Sequence, residues 1–136
     1  MRRFVVMAGF CALAFPVLAQ QARFQGQLSG QQEVPPTTTN GSGTATATLD
    51  GNTLNYSVEH TGLSGPATAG HFHGPADPGA NAGVVLPFAN PASPIKGTAT
   101  LTDQQKADLM AGKWYANIHT RQNPGGEIRG QMRPVQ

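Results

Sequence analysis

The chain has 136 residues, only 12% of them charged, and a formal net charge of +2. Arg2 and Arg3 supply that excess, and the rest of the chain carries seven basic against seven acidic side chains, so charge gives no case for a nucleic-acid or membrane-surface partner. A single cysteine, Cys11, excludes an internal disulfide.

In chain order, the basic start Met1-Arg2-Arg3, the apolar run Phe4 to Leu18 and the exit Val17-Leu18-Ala19 make a secretory leader pattern. Residues 1–19 are therefore expected to be a cleaved signal peptide, and 20–136 one domain placed in a periplasm or secreted. The run is too short for a membrane span, which takes about 20 apolar residues. Phe10, in front of Cys11, is not the small residue a lipid-anchored leader carries there. Beyond the leader, Phe24, Gly26 and Leu28 alternate with polar neighbours and predict a strand, and 33–43 reads as a Pro- and Thr-rich loop. Thr44–Leu49 alternates Thr with Ala45, Ala47 and Leu49; Asp50-Gly51-Asn52 is a hairpin turn; Leu54, Tyr56 and Val58 return inward, with His60 at the strand's end. Ala69–His73 predicts a further strand, 74–83 a Gly- and Pro-rich loop, Val84–Phe88 a buried strand and Gly97–Leu101 another.

One short helix is predicted near 103–111, opened by the capping pair Thr102 and Gln105 and stopped by Gly112. Trp114, Ala116 and Ile118 alternate with Tyr115, Asn117 and His119; Ile128, Gly130 and Met132 do so on the last strand. A five-residue turn between them predicts Arg121 opposite Glu127, Ile118 opposite Gly130 and Arg129 opposite His119. Short alternating segments and one small helix point to an all-β antiparallel sandwich or barrel, of which the sandwich is the expected form.

The chemistry rests on the histidines. His71 and His73 lie two apart on one strand and so share a face, while Phe72 points to the core. His119 takes the outward parity of its own strand. Two imidazoles on one rigid strand and a third from elsewhere form a donor set for copper or zinc. The plainer alternative is a set of strand-end surface histidines whose Nδ1 atoms bond to the following loop. No serine stands in a nucleophile-elbow sequence, and Gly41-Ser42-Gly43 lacks the lysine and helix of a phosphate loop.

Four blocks carry a family resemblance: Gln27-Leu-Ser-Gly-Gln-Gln-Glu-Val-Pro-Pro36, Ala69-Gly-His-Phe-His-Gly-Pro-Ala76, Gly112-Lys-Trp-Tyr-Ala-Asn-Ile-His-Thr120 and Pro124-Gly-Gly-Glu-Ile-Arg-Gly-Gln131. Together they resemble the CHRD domain, the module named for chordin and found alone in exported bacterial proteins. The family's motif histidines correspond to His71, His73 and His119. The His-Phe-His and Asn-Ile-His strands also resemble the copper strands of copper–zinc superoxide dismutases. That likeness implies an Ig-like or superoxide-dismutase-like Greek-key sandwich, a copper ion with His60 or water in a fourth place, and Arg129 drawing in an anion. It departs from those enzymes in having no disulfide cysteines and no zinc subsite, and His60 precedes the pair. Two functions follow: a copper (alternatively zinc) protein with superoxide-dismutase-like redox activity in its enzymatic form, or a non-enzymatic recognition module that needs no metal, binding a protein partner through loops 33–40 and 74–83.

Overall fold

The computed structural model describes residues 9–15 and 21–136. Both ends of the expected leader, with its expected cleavage site, lie outside the described residues. Nine strands and one helix follow: β1 (Ala22–Ser29), a 3-10 turn (Gly30–Gln32), β2 (Ser42–Asp50), β3 (Thr53–Thr61), β4 (Ala67–His73), β5 (Val84–Pro87), β6 (Ile95–Thr100), α1 (Asp103–Met110), β7 (Tyr115–Thr120), β8 (Ile128–Gln131) and β9 (Arg133–Val135). The domain is all-β, as the alternation predicts. Among the described residues, no helix is long and apolar enough to cross a membrane.

The strands join into one antiparallel sheet of order β5-β4-β7-β8-β1-β2-β3-β6, with β9 added to β1. The sheet curls until its two ends face each other. Tyr56 on β3 therefore meets Phe72 on β4 edge-to-face at 5.3 Å, although these strands are not neighbours, and Phe88 fills the gap at 5.0–5.4 Å from both rings. The result is a sandwich-like half-barrel whose core is formed by the inward parities: Phe24 and Leu28, Ala45, Ala47 and Leu49, Leu54 and Val58 from one wall, and Phe72, Trp114, Ala116, Ile118 and Ile128 from the other. Edge-to-face rings at such distances add about 0.5–1.5 kcal/mol beyond burial. Gly97 is required where it stands, because a Cβ there would overlap the Tyr56 ring.

The helix signals hold. The Gln105 amide donates to Thr102 Oγ1 (3.1 Å) while the Thr102 amide donates to Gln105 Oε1 (2.9 Å), and Gly112 closes the helix at φ +73°. Two expectations need correction. Val84–Pro87 is an outer strand with β4 as its one partner, and Val84 is 53% exposed, so it is not a buried strand. The β7–β8 register differs by two residues: Ile118 faces Ile128, and Arg129 faces Asn117 rather than His119. Both registers keep the same residues inward, so parity could not choose between them. The choice is made by Glu127, fully buried, which accepts hydrogen bonds from Thr120 Oγ1 (2.8 Å), Asn123 Nδ2 (3.0 Å), Thr39 Oγ1 (2.9 Å) and the amide (3.0 Å) and hydroxyl of Ser64. These neutral donors take the place of the expected Arg121 pair, and Arg121 is exposed.

Candidate metal centre

β4 and β7 lie side by side with His71 opposite Asn117, His73 opposite Tyr115 and Ala69 opposite His119. Because side chains alternate, this register turns Phe72, Ala116 and Ile118 inward and collects His71, His73, Asn117 and His119 on the other face. Ala69 is small and leaves room beside His119. The His71 ring lies 5.3 Å from that of His73 and 5.0 Å from that of His119, both near perpendicular. One nitrogen from each ring comes within 4.8 Å of the others. Imidazoles bound to one ion at about 2.0–2.1 Å stand roughly 3.3 Å apart in a tetrahedron. Binding an ion would therefore draw the widest pair together by up to about 1.5 Å.

The rings are oriented from behind. His73 Nδ1 lies 2.9 Å from the Ala82 carbonyl, and His119 Nδ1 lies 2.8 Å from that of Pro124. A carbonyl only accepts, so both Nδ1 atoms carry protons and both Nε2 atoms face the centre of the cluster. Fixing the remote ring N–H on a backbone carbonyl is the usual second-layer arrangement of metal-binding histidine. His71 Nδ1 is buried without a partner. Burial pushes the pKa of His71 below the ordinary histidine value, helped by the neighbouring His119 and His73, and burial does the same for His73. Both shifts favour the neutral ring that a metal requires.

Around the rings is a polar layer that polarity alone conceals. Tyr115 stacks on His73 at 4.8 Å, nearly parallel, and carries the Arg129 guanidinium 3.5 Å from its ring centre. Its hydroxyl donates to the Ala82 carbonyl (3.1 Å) and accepts from the Ala82 amide (3.0 Å). Arg129 donates to Asn81 Oδ1 (2.9 Å) and to the Ala80 carbonyl, and Gln131 Nε2 donates to the carbonyls of Ala76 (2.8 Å) and Gly112 (2.9 Å). Loop 74–83 is thus tied down over the outer face of β7 and β8.

Three of the sequence-designated residues, His71, His73 and His119, are brought together. His60 is not among the gathered groups: it is half-buried at the end of β3, with Nε2 2.8 Å from the Pro91 carbonyl. Arg129 is on the same sheet face as the histidines but is 2% exposed, its guanidinium committed to loop 74–83 and Tyr115. Sequence reasoning missed Tyr115 and Asn117, although the parity that selected His119 selects them as well.

No solved structure and no curated protein matches this chain. A family model described as the CHRD domain matches residues 24–132, most of the chain and all of the site just described. This chain belongs to the CHRD-domain family.

Proposed function

We propose that this is an exported metal-binding protein that holds copper through His71, His73 and His119. The observation that carries this reading is the convergence of three imidazole nitrogens within 4.8 Å on two paired strands, with two of the rings pre-oriented by backbone carbonyls. Imidazole donors suit both copper and zinc, and Cu(II) leads Zn(II) in intrinsic affinity. Storage or transfer of copper needs nothing more. Superoxide dismutation is the enzymatic form of the same reading and requires an open coordination position. Arg129 serves the scaffold in this arrangement; guiding an anion would require loop 74–83 to release it.

The test is metal content after purification from a periplasm supplied with copper and zinc, compared with the His71→Ala and His73→Ala variants. Near-stoichiometric copper, lost in both variants, supports the site; a His73→Ala protein that binds copper as tightly as the parent removes it. One observation favours the alternative, a protein-recognition surface. The Pro-rich and Gly-rich loops adjoin, with Asn81 Nδ2 3.4 Å from the Val34 carbonyl, beside a cleft of about 350 Å³ between Glu33, Val34, Pro78 and Gly79. Under that reading, metal removal leaves partner binding unchanged.

A further inference from the structure

Asn117 occupies the middle of the histidine cluster. It is 4% exposed, and its carboxamide, oriented with Oδ1 toward the rings, lies 2.9 Å from His73 Nε2 and 3.1 Å from His119 Nε2. The hydrogen-bond inventory there is constrained. Each neutral imidazole carries one N–H, and in both rings that N–H is spent on a carbonyl through Nδ1. Both Nε2 atoms then present lone pairs to Asn117. An amide oxygen between two lone pairs would leave all three acceptors unsatisfied in a buried place. The NH2 end of the same group has two protons for two lone pairs. Which end of a carboxamide faces a neighbour is decided by such a network.

The same position suits an oxygen ligand. Separations of 2.9 and 3.1 Å are close to the roughly 3.3 Å edge of a tetrahedron of ligands around one ion. A half-turn of the carboxamide exchanges its ends with little displacement of its atoms.

We infer that Asn117 is a working member of the metal site: its NH2 group bridges the Nε2 atoms of His73 and His119 when no ion is present, and its oxygen turns to the ion as a fourth donor when one is bound. This rests on the metal-binding reading above. It assigns the fourth place to a residue already in position. It also gives the Nε2 atoms of His73 and His119 a hydrogen-bond partner when the site is empty, while His71 Nδ1 stays without one.

The probes are Cu(II) and Zn(II) ions added to the metal-free domain. Asn117→Leu keeps the shape and removes both the donor and the acceptor. The expected result is at least a tenfold loss of affinity for both ions, in line with the roughly 10–100-fold effect of groups that support metal ligands. The Cu(II) electron paramagnetic resonance signal should change as an oxygen donor is lost. Asn117→Asp keeps an oxygen at the same point and is expected to bind at least as tightly as the parent. In the metal-free parent, nitrogen-15 spectra should show His73 and His119 protonated at Nδ1 and bare at Nε2.

Unchanged affinity and an unchanged copper signal in Asn117→Leu would overturn the ligand role while leaving the three-histidine site intact. A tenfold weaker Asn117→Asp would overturn it as well, and this holds even if the leucine variant does not fold. Nε2-protonated rings in the metal-free parent would overturn the bridging role. A parent that takes up neither ion overturns the metal reading and the ligand role together, and the tautomer spectra still decide the bridge.

Discussion

Two buried glutamates pull the stability of this domain in opposite directions with pH, and replacing one of them isolates its contribution. Glu33 is 6% exposed, its Oε1 has no hydrogen-bond partner, and burial raises its pKa from 4.5 to about 7 against the opposing pull of Arg129. The folded state therefore keeps a proton that the unfolded chain releases. Its stabilising contribution is complete below pH 4.5 and is lost as pH rises through 7. A shift of about 2.5 units corresponds to about 3 kcal/mol, a sizeable part of the 5–15 kcal/mol that holds an ordinary domain together. Glu33→Gln imitates the protonated side chain at every pH. The stability of the variant minus that of the parent should therefore rise by about 3 kcal/mol between pH 4.5 and pH 8. Taking this difference cancels His71 and His73, whose lowered pKa values make the fold lose stability as pH falls below 6.5. Urea unfolding of the metal-free domain at unit steps from pH 4 to 8, with a chelator present, reads the effect. A difference independent of pH would show that Glu33 is ionised in the fold and that the reasoning from its burial is wrong.

Glu127 carries the opposite sign. Burial alone would raise its pKa, but hydrogen bonds from Ser64, Thr120 and Thr39 hold it at about 2. Its contribution of about 3 kcal/mol is complete above pH 4.5 and lost as pH falls through 2, so Glu127→Gln should destabilise by about that amount at pH 7 and hardly at all near pH 2, as measured by thermal unfolding. For the metal site, the lowered pKa of His71 and His73 predicts that copper affinity, followed by competition titration, persists below pH 6.5 before protons displace the ion; a midpoint of loss above 6.5 would contradict the burial of the rings. Gly126→Ala should cost roughly 1–3 kcal/mol and weaken metal binding, since Gly126 holds φ +122° and an added Cβ would lie 2.5 Å from Glu33 Oε1 and 2.9 Å from the end of the Asn117 carboxamide turned away from the rings. Unchanged chelator-treated and metal-loaded melting curves would refute that.

The core faces were legible because alternation is a direct consequence of strand geometry: Ala45, Ala47 and Leu49, or Phe72 between two histidines, declare their face by parity alone. The helix was legible from Thr102, Gln105 and Gly112. Parity leaves registers two residues apart indistinguishable, and there the decision fell to Glu127, whose burial no polarity scale suggests. The same blindness hid the second polar layer. Asn117, Arg129 and Gln131 read as solvent-facing, yet Asn117 is enclosed among the histidines and loop 74–83 is tied down on Arg129 and Gln131, and a loop's docking place is a tertiary fact. β9 was missed because Arg133-Pro134-Val135 has neither length nor alternation; it is held by pairing Arg133 with Gln25 and Val135 with Arg23 on β1.

His73 and His119 sit on adjacent strands, yet the chain between them passes through β5, β6 and α1 and crosses to the far end of the sheet before returning. An ion shared by β4 and β7 would therefore close a long loop, the situation in which a cross-link restricts the chain most. A chain whose single cysteine lies at position 11 has no disulfide with which to do this. In such a protein, metal would act as the staple that small exported domains otherwise make from sulfur, and parting β4 from β7 would require the ion to leave first.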